Sequence, residues 1–129
     1  MSTLKVTNIA GLSGSSTDVM AGLAKTWVNF NGTGTPAARD SFNFASITDN
    51  GTGDQTVNFS NSLSNGNYMW SGSTGTSSAQ SNWLSTPASQ DPTSMMQTGS
   101  VRVKNSYANN TTNSDLQYVG IQVTAKWQF

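Results

Sequence analysis

Apolar and polar side chains alternate along much of the chain, and the clearest run is C-terminal. Val119, Ile121, Val123, Ala125, Trp127 and Phe129 fall on one face there, and Tyr118, Gln122, Thr124, Lys126 and Gln128 on the other. A period of two with one apolar face is the mark of a half-buried β-strand. Shorter runs of the same kind occupy residues 4–9, 24–30, 41–47, 56–59, 67–70 and 100–104. With the last strand they make about seven, a normal count for a small sandwich. Helix signals are sparse, the one candidate being a short turn over residues 18–23 capped by Ser16 or Thr17. The pattern predicts an all-β fold, a small antiparallel β-sandwich of the jelly-roll kind.

Turn residues divide the runs. Asn50 and Gly51, between the apolar positions Ile47 and Val57, are the favoured pair for the positive φ angles of a hairpin. The stretch Asn31, Gly32, Thr33, Gly34 and Thr35 reads as a tight turn after the Trp27 strand, since neither a helix nor a lysine follows it as a phosphate loop requires. Residues 71–93 are rich in Ser, Gly, Thr, Gln and Pro, with Trp83 and Leu84 as the one large apolar pair, and read as a long surface loop. Loops of that length inside a compact domain carry function or are ordered by a neighbour. A second loop is expected over residues 105–115. Residues 1–23, one possible strand followed by Gly and Ser, form an N-terminal attachment arm, and residues 24–129 the sandwich domain.

Composition narrows the chemistry. The chain has 129 residues, no Cys and no His, and its six Asp balance six Lys and Arg to a formal charge of zero. Such a balance offers no electrostatic footprint for nucleic acid or an anionic membrane surface. Ser, Thr, Asn and Gly supply 63 of the 129 residues, so the polarity is almost wholly uncharged. No segment approaches the roughly 20 apolar residues of a membrane span. The first ten residues, interrupted by Lys5, Thr7 and Asn8, do not match a secretory signal.

Without imidazole or thiol the usual nucleophile and base pairings are missing, and no catalytic residue or cofactor is expected. Asp49, Asn50 and Asp54 loosely suggest a calcium loop, but the spacing differs from an EF-hand and the closing Glu is absent, so a plain hairpin turn and no metal are expected. The Asp residues sit at turns or strand ends, where their short bonds to backbone explain them better than a glycosidase pair does.

Aromatic side chains are the most suggestive feature of so polar a chain, because exposed rings stack on sugars and dominate interfaces. Trp27 and Trp127 lie in strand patterns and are expected in the core. Trp70 and Trp83 border the long loop. With Tyr68, Leu84 and Tyr107 they form the candidate contact surface.

From Ala24 to Phe59 the chain resembles small tail-fibre-like structural proteins of bacteriophages of cyanobacteria and other marine bacteria. The matching pieces are the run from Trp27 through Thr35, Arg39 with Ser41, Phe42 and Asn43, and Ser46 through Gly53 with Asp54, Thr56, Val57, Asn58 and Phe59. The first nine residues are similar to the opening of many such proteins. The resemblance covers roughly the first half of the chain; residues 71–93 have no counterpart in it.

It implies a non-enzymatic virion protein on the particle exterior, assembled in the host bacterial cytoplasm, a homotrimer partnered by other tail or capsid proteins. Leu4, Val6 and Ile9 are the candidate attachment arm, and a host surface glycan is a candidate partner of the loops. A capsid decoration protein is the alternative, and a free carbohydrate-binding module using Trp70 and Trp83 is a third reading.

Overall fold

The computed structural model describes residues 23–77, 81–85, 94–108 and 112–125. They form nine strands: β1 (Ala24–Asn31), β2 (Ala37–Phe42), β3 (Phe44–Asp49), β4 (Asp54–Phe59), β5 (Met69–Gly75), β6 (Asn82–Ser85), β7 (Met96–Gln97), β8 (Ser100–Tyr107) and β9 (Tyr118–Thr124). The first sheet has the order β2-β1-β9-β5, and the second β3-β4-β8-β6 with β7 also paired to β8. Every pairing is antiparallel. The all-β expectation holds, with two antiparallel sheets.

Alternation explains why these segments pair as they do. In β1 the inward positions are Thr26, Val28 and Phe30, and in β9 they are Val119, Ile121 and Val123. The second sheet turns Val57 and Phe59 of β4 and Val101 and Val103 of β8 inward. These side chains, with Leu63, Tyr68 and Leu116, make one core shared by both sheets. A one-residue slip of any central strand would carry its apolar set into water, which fixes the register.

The strand expected over residues 41–47 is in fact two strands belonging to different sheets. Asn43 separates them with φ 52°, a left-handed conformation in which Asn is among the better tolerated residues. Its side chain clasps the corner. Nδ2 donates to Lys25 O at 3.0 Å and to Asn61 O at 3.1 Å, while Oδ1 accepts from the Asn61 backbone N–H at 2.8 Å. Thr26 Oγ1 adds a bond to Asn43 O at 3.0 Å.

The long loop expected over residues 71–93 is also corrected. Its first part is β5, whose seven residues pair with β9 from Met69 opposite Thr124 to Gly75 opposite Tyr118, and its middle contains β6. Backbone hydrogen bonds do not need apolar side chains, so a ladder against a strongly apolar strand orders a Ser- and Gly-rich segment. The second loop is shorter than expected, because β8 runs on to Tyr107 and Asn113 bridges to Ser106. All of the 1–23 arm but Leu23, with Leu4, Val6 and Ile9, and the positions of Trp127 and Phe129 lie outside the described residues.

β3 and β4 do form the expected hairpin, but the positive φ angles belong to Gly51 (123°) and Gly53 (63°) rather than to Asn50. Gly53 is the tighter of the two. A Cβ there would stand 2.5 Å from both Asn105 O and Ser114 N. It is the hub of a polar cluster that closes one end of the core. Asp115 Oδ1 accepts from the Gly53 N–H at 2.7 Å, and Asn105 N donates to Gly53 O at 2.8 Å. Buried Asn105 and Gln55 are joined side chain to side chain at 2.6 Å.

Candidate binding groove

Of the five aromatic and apolar residues expected on the contact surface, the structure leaves one in water. Trp83, on the edge strand β6, is 63% exposed. Tyr68 is buried, its hydroxyl donating to Ser100 O at 2.8 Å and its ring meeting Phe59 edge to face with centroids 6.2 Å apart. Burial pushes the Tyr68 phenol well above its ordinary pKa. Trp70, Leu84 and Tyr107 pack against the core. The reason is strand parity: Trp70 faces inward from β5 as Ser71 and Ser73 face outward, and Leu84 pairs with inward-facing Asn105.

Trp27, expected in the core, is displaced by the same rule. Val28 and Phe30 take the inward positions, and Trp27 stands half-buried on the outer face of the first sheet. There it meets an open groove of about 470 Å³ crossing β1, β9 and β5. Two rungs of the sheet build it. Trp27, Gln122 and Ser71 lie in register on one rung, and Asn29, Gly120 and Ser73 on the next. Gly120 leaves the middle of the second rung without a side chain, and Val28 and Ile121 contribute only the backbone of their buried positions.

Aromatic groups flank the groove at both ends. Phe42, opposite Trp27 on β2, is 56% exposed. Beyond the other rung Tyr118 carries the Arg39 guanidinium over its ring at 4.8 Å. A bulge puts Arg39 there. Asn29 pairs with Asp40 and Phe30 with Ala38, so Arg39 is the extra residue of β2. Its guanidinium donates to Gln117 O at 2.6 Å and to Asn29 Oδ1 at 3.3 Å. Asn29 therefore keeps its amide donor for the groove. Among the described residues, the side chains of Gln122, Ser71 and Ser73 make no hydrogen bond.

Arg39 apart, the charged side chains of the described residues are engaged elsewhere. Asp54 accepts from Arg102 Nε and Nη2, both at 2.8 Å, and lies 3.5 Å from Lys104 Nζ. The Arg102 hydrogen bonds hold its carboxyl below the usual carboxylate range against the opposing effect of burial, and the charges of Arg102 and Lys104 add to the shift. Asp49 accepts from the Gly51 N–H at 2.9 Å, and Asp40 from the Ser41 N–H at 2.8 Å. These are structural roles. Among the described residues no cluster of acidic side chains is placed to hold a metal ion.

Composition marks aromatics without fixing strand parity, so it does not show that Trp27 stands on the outer face of the first sheet and Trp70 on its inner side. The signal that locates the groove is the pairing of Trp27 and Asn29 on one parity of β1 with Gly120 and Gln122 on one parity of β9. Comparison with protein-family models, curated proteins and solved structures finds no match for the chain.

Proposed function

We propose that this chain is a non-enzymatic structural protein of a bacteriophage exterior, a tail-fibre-type appendage that meets the host surface and works as a homotrimer. The observation that carries this reading, beside the resemblance of the segment now seen as β1 to β4, is an apolar end left in water. Leu23, Phe42 and Met69 are 49%, 56% and 69% exposed, at the end of the first sheet where β1 and β5 begin. Leu23 and Phe42 line a pocket of about 450 Å³ with Asn43, Ser60 and buried Lys25, whose amine desolvation pushes down. Apolar side chains gathered in this way are covered in an assembly. Further copies and neighbouring virion proteins are the partners.

The finer reading of the fold is a jelly-roll-like sandwich with an attachment arm. Its support is the nested pairing, in which β1 and β5 flank β9 while β4 and β6 flank β8. Residues 1–23, which lead into the sheet at its apolar end, would dock on the particle through Leu4, Val6 and Ile9. A non-catalytic role is supported by the engagement of Asp40, Asp49, Asp54 and Asp115 in backbone and ion-pair bonds.

The same apolar end suits the alternative, a capsid decoration protein that stabilises the shell through buried area. Immunogold electron microscopy of intact phage, with an antibody against the recombinant protein, separates them. Label at the tail supports the appendage; label over the head assigns decoration; a bare particle refutes both.

A further inference from the structure

We infer that the groove on the outer face of the first sheet is a binding site for a neutral glycan, with Trp27 as the stacking wall and Gly120 as the floor. The chemistry of the lining selects the ligand. A pyranose ring has an apolar C–H face and a rim of hydroxyls, so it needs a flat aromatic surface beside uncharged groups that both donate and accept. Trp27 supplies the first. Gln122, Ser71 and Ser73 supply the second, with Asn29 as a donor whose carbonyl is already fixed by Arg39.

The volume, about 470 Å³, falls within the roughly 300–1,000 Å³ of small-ligand clefts. The groove is open to solvent, which suits a chain of sugars rather than an enclosed metabolite.

Other occupants fit less well. No charged side chain lines the groove, and the cation at its margin, Arg39, is committed to Gln117 O, Asn29 Oδ1 and the Tyr118 ring, so a phosphate or sulfate would lose its water with little counter-charge in return. That disfavours nucleic acid and acidic polysaccharide, whose binding rests on cations. An extended peptide adds to a sheet edge through free backbone groups; β1 and β9 are paired on both sides, and a strand added at the edge of β5 would lie beside the groove and not in it. A second copy pressing its own sheet against the concavity would satisfy Gln122, Ser71 and Ser73 only if its matching groups met them in register, and otherwise would bury them at a cost. The sugar is the class that satisfies them.

The site does not depend on the virion reading, and the two fail separately: gold label on the particle says nothing of sugar, and sugar binding says nothing of location. The test is calorimetric titration of the full chain with maltohexaose, cellohexaose, chitohexaose and α-mannohexaose, with dextran sulfate as the charged comparison and tryptophan fluorescence as a second readout. At least one neutral oligomer is expected to bind.

Trp27→Ala and Gly120→Val are each expected to weaken binding about tenfold or more, as loss of a central anchor does. Gly120→Val guards against a misfolded Trp27 variant, because the nearest atom to a Cβ there is the mobile Ser73 Oγ at 3.3 Å. Silence from every neutral oligomer, binding of dextran sulfate alone, or affinity unchanged in Gly120→Val would overturn the site. So would an iodide-quenchable signal of Trp27, read as the difference between the parent chain and Trp27→Phe, that appears only when the sugar-free protein is diluted, which would give the face to a second copy.

Discussion

The outer faces of the two sheets are made from similar residues and behave differently. On the second sheet the polar side chains answer one another. Asn58 donates to both Ser46 and Thr48 at 3.0 Å, Asn50 reaches Thr56 at 2.9 Å, and Asp54 is held by Arg102 and Lys104. On the first sheet Gln122, Ser71 and Ser73 face a hollow, with Phe42 and Tyr118 exposed at its margins. Composition alone would rank the faces as equals. What separates them is whether hydrogen-bonding capacity is spent inside the chain or left for another molecule.

The comparison can be broken most sharply at its base. Phe30 lies on the inner side of the strand that carries Trp27, fully buried, and Phe30→Ala is expected to cost about 3–5 kcal/mol in chemical denaturation. Trp27→Ala should cost much less, because its ring borders an open groove. An equal loss in both would mean that the tryptophan is core.

Next come the two hairpins. Gly53→Ala is expected to cost about 3 kcal/mol or more, since a left-handed backbone and a collision with Asn105 and Ser114 act together. Gly34, in the turn between β1 and β2, has φ 64° and open space around it, so Gly34→Ala should cost about 1 kcal/mol. Thermal melts of the pair test whether the second sheet's hairpin is the more constrained.

Asp54→Asn removes the ion pair of the closed face and is expected to cost about 2 kcal/mol near neutral pH. Because the folded state holds the Asp54 carboxyl below its ordinary value of 3.8, its contribution is present above that value. It is lost as pH falls through the lowered folded pKa. A pH series of unfolding curves should show that acid-dependent component in the parent chain and not in the variant.

The smallest effect is expected at Asn58→Ala, about 0.5–1 kcal/mol for two exposed bonds. A larger loss there would mean that the closed face contributes more to the fold than its exposure suggests.

Much of this division was readable in the order of residues, and the rest was not for a physical reason. The apolar parity of Val119, Ile121 and Val123 announced β9, and β1 and β4 followed from the same period. β5 was not legible beyond Trp70, because Ser71 to Gly75 carry no apolar signal and are ordered by the ladder with β9. Nor was the sheet switch at Asn43, where the period runs through Phe42 and Phe44 on either side of a corner. The groove needed three strands from distant parts of the chain, so no local motif encodes it. Its aromatic wall was visible, but on the wrong side of the strand.

The single-residue corner at Asn43 also bears on how the chain tolerates added sequence. With one residue between β2 and β3, and that residue bonded to Lys25 and Asn61, the crossing has no slack. Inserting a tag or a grafted peptide there would uncouple the sheets. The turn after β1 is the opposite case beyond Gly32, whose N–H is fixed to Leu116 O: it is tied by the local bonds from Thr33 to Asn31 and open to solvent around Gly34. A display epitope belongs in that turn, beside the groove, where the scaffold can carry it without renegotiating its core.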